Sequence, residues 1–212
     1  MLYSVKYWDA ALFVIKEKCA ENFLLKTIIY RTNSAIGRGI RGRENVRVQW
    51  NRNSKLSYTP QFLTLDNTPW FPLMGEIHYS RVSNGRWEEE LYKMKAGGIE
   101  LVSAYTIWIH HEEVEGEWDF SGDRDLRKFL QTIKNCGLHC ILRIGPWAHG
   151  EVRNGGFPDW LMQKEKEGQL VTRTNDPKYL RYVREFYGKI AEQARGLLLS
   201  DDGPVAMIQI EN

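Results

Sequence analysis

The feature that most constrains this fold is a regular alternation of apolar, strand-like runs with amphipathic helical segments from residue 71 onward. The predicted strands cover residues 71–79, 99–108, 138–144 and 205–210, and the predicted helices cover residues 87–95, 123–135 and 177–195. In the second helix, Leu126, Phe129, Leu130 and Ile133 fall on one face. Apolar strands connected through helices are typical of a parallel sheet covered on both faces. The alternation therefore predicts an α/β fold.

The segments that follow the predicted strands separate two such folds. A dinucleotide-binding fold would need a G-x-G-x-x-G loop after the first strand, and Gly75 and Gly85 do not form one. Polar side chains instead follow the ends of all four strands, where a (β/α)₈ TIM barrel keeps its chemistry. We therefore predict a (β/α)₈ barrel of which about the first four strands are present, a half-barrel fragment.

Residues 1–57 differ in composition from the rest of the chain. Between Arg31 and Lys55 there are seven basic residues and a single acid, Glu44. The composition predicts a basic, poorly defined N-terminal extension over 1–57, followed by a second domain over 58–212. Few aromatic residues lie between the basic ones, so we expect no nucleic-acid partner.

Composition also disfavours membrane association and cysteine chemistry. No stretch approaches the ~20 apolar residues of a membrane span, so no membrane partner is expected. The apolar run at residues 10–15 is too short for a signal peptide, and the localisation stays open, as does the oligomeric state. The cysteines form no C-x-x-C pair, and we predict that Cys136 and Cys140 are core thiols.

Carboxylates, amides, imidazoles and aromatic rings crowd the ends of the predicted strands. In chain order they are Glu76, His78, Tyr79, Tyr105, Trp108, Arg143, Trp147, His149, Glu151, Gln209, Glu211 and Asn212. Sugar rings stack on aromatic faces, and sugar hydroxyls need both donors and acceptors, so this mixture is typical of a carbohydrate site. Glu151 lies between Gly145-Pro146 and the Gly155-Gly156 turn, and we predict that it contacts substrate or shapes the site.

Other polar and aromatic residues have plainer explanations. The His-His-Glu-Glu run at 110–113 lacks H-E-x-x-H spacing and a third ligand, so no metal site is predicted, and we expect these histidines to bond to backbone or carboxylate groups. A solvated loop is predicted for Glu115, Glu117 and Asp119, and packing roles are predicted for Trp118, Phe120, Phe157 and Trp160.

Four ordered segments resemble motifs of glycoside hydrolase family 35, the β-galactosidase family. They are MGEIHYSR, AYTIWIHHEEVEGEWDFSG, LRIGPWAHGEVRNGGFPDWL and GPVAMIQIEN. The resemblance covers about residues 58–212, and each segment falls at its expected strand. It implies a retaining, exo-acting glycosidase without a cofactor, in which one glutamate is the acid/base and another the nucleophile.

The resemblance also assigns roles to individual positions. Tyr105, His149, Gly150 and Glu151 match positions that contact the terminal galactose, and Asn212 is expected to hydrogen-bond the sugar 2-hydroxyl. In the family the acid/base directly follows this asparagine, so it would come after Asn212, and the nucleophile would come later. No catalytic residue is therefore expected within these 212 residues, and we expect the chain to be truncated and inactive alone.

Four positions depart from the family pattern. His149 stands where Asn or Cys is common, Trp147 where Tyr is usual, Ile109 where Asn is usual and Glu113 where Pro is usual. These departures do not change the predicted barrel or the predicted reaction class. They leave the identity of the terminal sugar undetermined. The alternatives are a related exo-glycosidase that acts on another terminal sugar, such as glucosamine, and a non-catalytic carbohydrate-binding fragment.

Overall fold

The computed structural model of the 212-residue chain describes residues 56–58 and 61–211. Most of the predicted basic extension lies outside these described residues, and so does Asn212. Among the described residues, none of the helices combines the length and the apolar character that a membrane span requires.

The described part of the chain contains strands, α-helices and short 3₁₀ turns. The strands are β1 (Leu56–Tyr58), β2 (Leu63–Leu65), β3 (Thr68–Trp70), β4 (Met74–Glu76), β5 (Leu101–Tyr105), β6 (His139–Arg143) and β7 (Val205–Gln209). The α-helices are α1 (Trp87–Ala96), α2 (Trp108–His111), α3 (Leu126–Asn135), α4 (Asp159–Lys166) and α5 (Pro177–Ala194). The 3₁₀ turns are Tyr79–Arg81, Asn84–Arg86, Gly122–Arg124, Arg153–Gly156 and Leu199–Asp201.

The strands form two sheets. Strands β1, β2 and β3 form a small antiparallel sheet, whereas β4, β5, β6 and β7 form a parallel sheet in that order. Helix α1 connects β4 to β5, α2 and α3 lie between β5 and β6, and α4 and α5 lie between β6 and β7. The predicted α/β class with a parallel sheet is therefore confirmed.

The longest helix begins where the sequence predicts. Asp176 accepts hydrogen bonds from the backbone N–H groups of Lys178 and Tyr179, and Pro177 occupies the first helical position. The first N–H groups of a helix have no partner within it, so an aspartate cap followed by proline favours a start at this point.

Several element boundaries differ from the prediction. Strand β4 is shorter than the apolar run at 71–79, and the run at 99–108 divides, because β5 ends at Tyr105 and Trp108 begins α2. Helix α3 begins at Leu126 and not at residue 123, because Asp125 caps it by accepting from the Lys128 N–H. Helix α4 is absent from the sequence prediction, since its eight residues include few apolar ones.

The antiparallel sheet is also absent from the sequence prediction, because three-residue strands are too short to show an alternating pattern. The sequence of the connection between β2 and β3 nevertheless contains residues typical of a hairpin turn. Asp66 and Asn67 there have φ angles of 48° and 64°, as in the tight hairpin turns that Asp and Asn tolerate. The domain boundary predicted near Ser57 falls within β1, where Ser57 pairs with Thr64, and it stays a prediction.

The two faces of the parallel sheet bury different partners. On one face, Val102 belongs to the same buried cluster as Leu130 of α3 and Phe186 of α5. On the other face, Leu101 packs with Trp70 of the antiparallel sheet. Side chains alternate along a strand, so the antiparallel sheet covers the amino-terminal half of this second face. The carboxyl-terminal half of this second face carries polar side chains.

The core contains most of the residues expected to pack. Cys136 and Cys140 are buried, and burial raises the pKa of both thiols. Among the predicted packing aromatics, Phe157 is fully buried, and the core also receives Trp118, Phe120 and Trp160. These packing predictions are confirmed.

The loop after β6 folds back beneath an indole ring. Gly155 has a φ angle of 61°, and a Cβ atom built on it would lie 2.3 Å from ring atoms of Trp147. The carbonyl of Gly155 accepts a hydrogen bond of 2.7 Å from the Ala148 N–H, which closes the loop. The position therefore requires glycine both for its backbone conformation and for the close approach of the ring.

His111 of α2 is fully buried and has two partners. Its Nδ1–H donates to the Asp119 carbonyl at 2.9 Å, and its Nε2 accepts from the Tyr79 hydroxyl at 2.6 Å. A carbonyl can only accept, which assigns the proton to Nδ1. The expected bond to backbone is confirmed for His111, whereas the His110 ring bonds to the Ser80 hydroxyl at 2.7 Å, and both residues lie in a short helix. Burial lowers the pKa of His111 to about 4.

We expect Gly155→Ala to lower the free energy of unfolding by about 2–4 kcal/mol, of which about 1 kcal/mol is backbone strain and the rest overpacking against the indole. Gly168→Ala is the matched control, because Gly168 has a φ angle of 71° and nothing within 4 Å of its Cβ position. Urea unfolding of both variants measures the difference. Equal losses would show that contact with Trp147 does not matter.

We also expect the folded state to lose stability as the pH falls from about 6.5, where an unfolded histidine titrates, towards 4. In this window the unfolded chain binds a proton that buried His111 does not, so stability is fully present above the window. The loss is on the order of 3 kcal/mol. His111→Gln does not titrate and can donate to the same carbonyl, so it should flatten the dependence. Urea unfolding with the same pH slope in both proteins would contradict this origin.

Candidate active site

The carboxyl ends of β4, β5, β6 and β7 meet at one edge of the parallel sheet. The register pairs Glu76 with Ser103, Tyr105 with Arg143, and Arg143 with Gln209. Direct contacts between the side chains of Glu76, Ser103 and Arg143 establish that these residues share the polar half of one face. Ligand sites of parallel α/β folds lie at this edge.

The Glu76 carboxylate bonds to three side chains at this polar face. It accepts a 3.1 Å hydrogen bond from the Ser103 hydroxyl and a short charged one from Arg143, and the His78 Nε2–H donates to it at 3.0 Å. Burial alone would raise the pKa of Glu76, but the bonds from His78 and Ser103 and the charge of Arg143 outweigh burial and lower it. Glu76 is therefore an ionised, paired carboxylate and is poorly suited to donate a proton.

Tyr105 lies buried under the loop that follows β6. The Arg143 guanidinium stacks on its ring, with its carbon 3.8 Å from the ring centroid, and the backbone of His149 hydrogen-bonds to its hydroxyl. Burial raises the pKa of Tyr105, although the hydrogen bond and the Arg143 charge oppose the change. The Tyr105 phenol is therefore neutral, and its hydroxyl holds the backbone of His149.

The same loop is held from the side of β4. Gly150 packs directly on the His78 ring, because a Cβ atom at this position would lie 2.7 Å from its Cε1 atom. Arg81 donates one hydrogen bond of 3.2 Å to His78 Nδ1 and another of 3.3 Å to the Glu151 carbonyl. The backbone of residues 150–151 is therefore fixed by two side chains from the segment that follows β4, those of His78 and Arg81.

The exposed polar side chains of this loop include those of His149 and Glu151. Glu151 has a φ angle of 50°, in the left-handed region. A glutamate in that conformation carries strain of order 1 kcal/mol or more, which must be offset by the surrounding contacts. Glu151 is therefore an exposed side chain on a strained backbone in the loop that follows β6.

The end of β7 approaches the loop from the opposite side. Glu211 has a φ angle of 58°, and its N–H donates to the Gly145 carbonyl at 2.7 Å. The Glu211 carboxylate pairs with Arg173 at 2.8 Å, and the Gln209 amide donates to the Glu211 carbonyl at 3.1 Å. Asn212 follows directly, outside the described residues.

Among the sequence-predicted site residues, the structure brings Tyr105, His149, Gly150 and Glu151 together around one loop. Sequence reasoning missed the supporting roles of Arg81 and Arg173. Arg81 belongs to a motif segment, which could have drawn attention to it. Arg173 lies between two helices with no local pattern around it.

One cleft includes only some of these groups. A cleft of about 460 Å³ opens between β4 and α1, and it is lined by Glu76 and Arg81 but not by His149 or Glu151. Within residues 56–58 and 61–211, no cluster of three or more His, Cys, Asp or Glu side chains could hold a metal ion. The arrangement offers hydrogen-bond acceptors and donors with an aromatic support, as the recognition of a polyhydroxyl ligand requires.

The chain is similar to a solved structure and to several curated proteins. A β-galactosidase from the psychrophilic Marinomonas ef1 matches it with a TM-score of 0.50 and 20% identity over 67% of this chain and 22% of that one, a likeness of fold. The β-galactosidases of Mus musculus and Homo sapiens are 37% and 36% identical to it over 161 residues. That of Xanthomonas manihotis is 35% identical over 147 residues.

These alignments cover 76%, 76% and 69% of this chain but only 24%, 23% and 24% of the three relatives, so the chain spans about a quarter of the length of the relatives it matches. The family described as "Glycosyl hydrolases family 35" matches residues 62–212, which include every strand of the parallel sheet. The chain belongs to glycosyl hydrolase family 35.

Proposed function

We propose that the protein to which this chain belongs is a retaining, exo-acting β-galactosidase that removes terminal β-galactosyl residues. The observation that carries the proposal is the Glu151 carboxylate, which is exposed at the edge of the sheet on a strained backbone fixed by Arg81. A carboxylate held in this way can accept hydrogen bonds from two hydroxyls of one sugar. The names of the relatives support galactose as that sugar.

We propose that residues 58–212 supply the first four strands of a (β/α)₈ barrel and that residues 1–57 form a separate extension. The order β4-β5-β6-β7, with helices in every crossover, supports the barrel. In such a barrel the second face of the sheet points inward, and its polar half lies at the mouth that holds the active site. Parallel pairing at both edges would complete the barrel.

The proposed sugar subsite consists of Tyr105, His149, Gly150, Glu151 and Asn212. His149 and Glu151 present exposed side chains, Gly150 lets the loop lie on the His78 ring, and Tyr105 supports the His149 backbone from below. Asn212 is assigned by the family pattern alone, to the sugar 2-hydroxyl. A hydrogen bond there that tightens as positive charge develops on the sugar lowers the barrier itself.

The proposed reaction needs two carboxylates in addition to this subsite. One attacks the anomeric carbon and forms a glycosyl-enzyme, while the other first protonates the leaving oxygen and then activates water. The family pattern assigns the acid/base to the position after Asn212 and the nucleophile to a later strand. Glu211 is not a candidate, because its carboxylate is paired with Arg173 and it precedes the asparagine.

The sugar itself is tested with the complete enzyme on aryl β-glycosides of galactose, glucose and glucosamine. The exposed His149 and the Trp147 beside it are the departures that favour a second candidate, an exo-glycosidase for another terminal sugar. Faster turnover of the glucosaminide than of the galactoside would support that candidate. Binding of galactosides without turnover of any substrate would instead support a carbohydrate-binding protein.

We expect Glu151→Gln to lower kcat/KM of the complete enzyme on an aryl β-galactoside roughly 10- to 100-fold, the range for losing hydrogen bonds to a charged group. An amide offers one accepting oxygen where the carboxylate offers two. Glu117→Gln is the matched control, since Glu117 is an exposed loop glutamate outside the subsite. If both variants melt normally and share the parent kinetics, the assignment of Glu151 is wrong.

We expect the 212-residue chain, assayed alone on the same galactoside, to release no aryl alcohol above a mock preparation. None of its carboxylates is assigned to nucleophilic attack or to proton transfer, and the loss of such groups costs many orders of magnitude in rate. Turnover that persists after Glu211→Gln would contradict this assignment of roles.

A further inference from the structure

Arg81 connects the segment after β4 to the loop that carries Glu151. Its Nη2–H donates to the Glu151 carbonyl at 3.3 Å, and its Nη1–H donates to His78 Nδ1 at 3.2 Å. The planar guanidinium carries its donors in a fixed fork, so it can bond to both acceptors at once. One side chain therefore holds a ring of its own segment and the backbone of a loop that lies 70 residues further along the chain.

The turn that carries Arg81 is anchored in the core. Tyr79, the first residue of this turn, is fully buried, and the Trp87 indole N–H donates to the Tyr79 carbonyl at 3.1 Å and to the Val82 carbonyl at 2.9 Å. Trp87 is itself buried in the main cluster. Because the backbone on both sides of Arg81 is bonded to a core residue, the guanidinium extends from a fixed base and can impose a position on the loop.

His78 is held in one tautomer between two charged groups. The Glu76 carboxylate can only accept a hydrogen bond and the Arg81 guanidinium can only donate one, so the ring carries its proton on Nε2 and a lone pair on Nδ1. Glu76 is in turn paired with Arg143. Bonds at both nitrogens fix the plane of the ring, and the Cε1 edge of this ring lies 2.7 Å from the Cβ position of Gly150. The support beneath residue 150 therefore depends on Arg81 as well.

Glu151 needs this support because of its backbone conformation. Its φ angle is 50°, and residues other than Gly, Asn and Asp hold such an angle only where surrounding contacts impose it. The Arg81 bond to the Glu151 carbonyl and the His78 ring beneath Gly150 are two such contacts. A rotation of φ turns the Cα–Cβ bond relative to residue 150. Relaxation of the strained backbone would therefore redirect the Glu151 carboxylate.

We infer that Arg81 is a positioning residue that acts with His78 to hold Glu151 where its carboxylate accepts a hydrogen bond from the terminal sugar. The inference rests on the proposed function and deepens it, because it assigns the selectivity for a sugar hydroxyl to a residue that need not touch the sugar. A residue that only stabilised the fold would affect every substrate alike. A residue that positions Glu151 matters only for substrates that carry a hydroxyl bound by Glu151.

The test measures kcat/KM of the complete enzyme on an aryl β-galactoside and on derivatives that each lack one sugar hydroxyl. The derivative on which the parent and Glu151→Gln differ least identifies a hydroxyl that Glu151 binds. We expect Arg81→Met to lower kcat/KM about 10- to 100-fold on the full galactoside, as for a group misplaced by about 1 Å, and less than about threefold on that derivative.

Two further variants test the route of the effect. His78→Gln should show the same dependence on that hydroxyl, because its amide can still donate towards Glu76, whereas the acceptor for Arg81 and the ring beneath Gly150 are lost. Arg81→Lys offers one ammonium in place of the fork and should recover part of the loss. Arg81→Met combined with Glu151→Gln should lose little more than Glu151→Gln alone, because both changes remove the same interaction.

Arg86→Met is the matched control. Arg86 belongs to the next 3₁₀ turn of the same segment, its side chain is 61% exposed, and it pairs with Glu90 of α1. This control should keep the parent kinetics on every substrate. Melting temperatures of all variants show whether each one is folded under the conditions of the assay.

Three results would overturn the inference. Equal losses of Arg81→Met on all the substrates would mean that the residue affects folding or binding in general, while the proposed function would stand. Parent kinetics in Arg81→Met would also reject it. If Glu151→Gln showed no dependence on any hydroxyl, Glu151 would have no sugar partner to be positioned for. A parent enzyme that cleaves no galactoside would refute the proposed function together with the inference.

Discussion

The site depends first on the parallel register of β4, β5, β6 and β7. The register places Tyr105 opposite Arg143 and Arg143 opposite Gln209, so that one row of side chains crosses three strands at their carboxyl ends. A shift of one residue in any strand would exchange its two faces, and polar groups would enter the core beside the helices. The apolar contacts of Val102 on one face and Leu101 on the other prevent that shift.

Given this register, packing contacts between backbone and rings fix the loop after β6. Gly155 lies under the Trp147 indole and Gly150 lies on the His78 imidazole, and at neither position is there space for a Cβ atom. His78 is itself held between Glu76 and Arg81 by two hydrogen bonds. The ion pair between Glu76 and Arg143 is thus connected to Glu151 through the His78 ring and the Gly150 backbone. The position of the exposed Glu151 residue therefore depends on charged groups that are not themselves required to contact a ligand.

The alternation of apolar runs and helices was sufficient to predict the parallel sheet, because that signal spans more than a hundred residues. The start of α5 at Asp176 and Pro177 was also predictable, because a helix cap is a local sequence pattern. The burial of Tyr105 and the bridge made by Arg173 were not predictable in this way. Both arise from contacts between segments distant in sequence, such as Arg173 with Trp147 and Glu211, which leave no local pattern.

The distribution of left-handed backbone angles supports a functional reading of this region. Among the described residues the non-glycine positions with positive φ are Asp66, Asn67, Glu151, Asn154, Arg173, Asp202 and Glu211. Asp and Asn tolerate the conformation because their short polar side chains bond locally. The remaining three are Glu151, which lies in the β6 loop beside Arg81, and Arg173 and Glu211, which form an ion pair where that loop meets the end of β7. Strain at charged residues persists only where other contacts maintain it. Its concentration at one edge of the sheet is expected if this edge must hold charged groups in a fixed geometry.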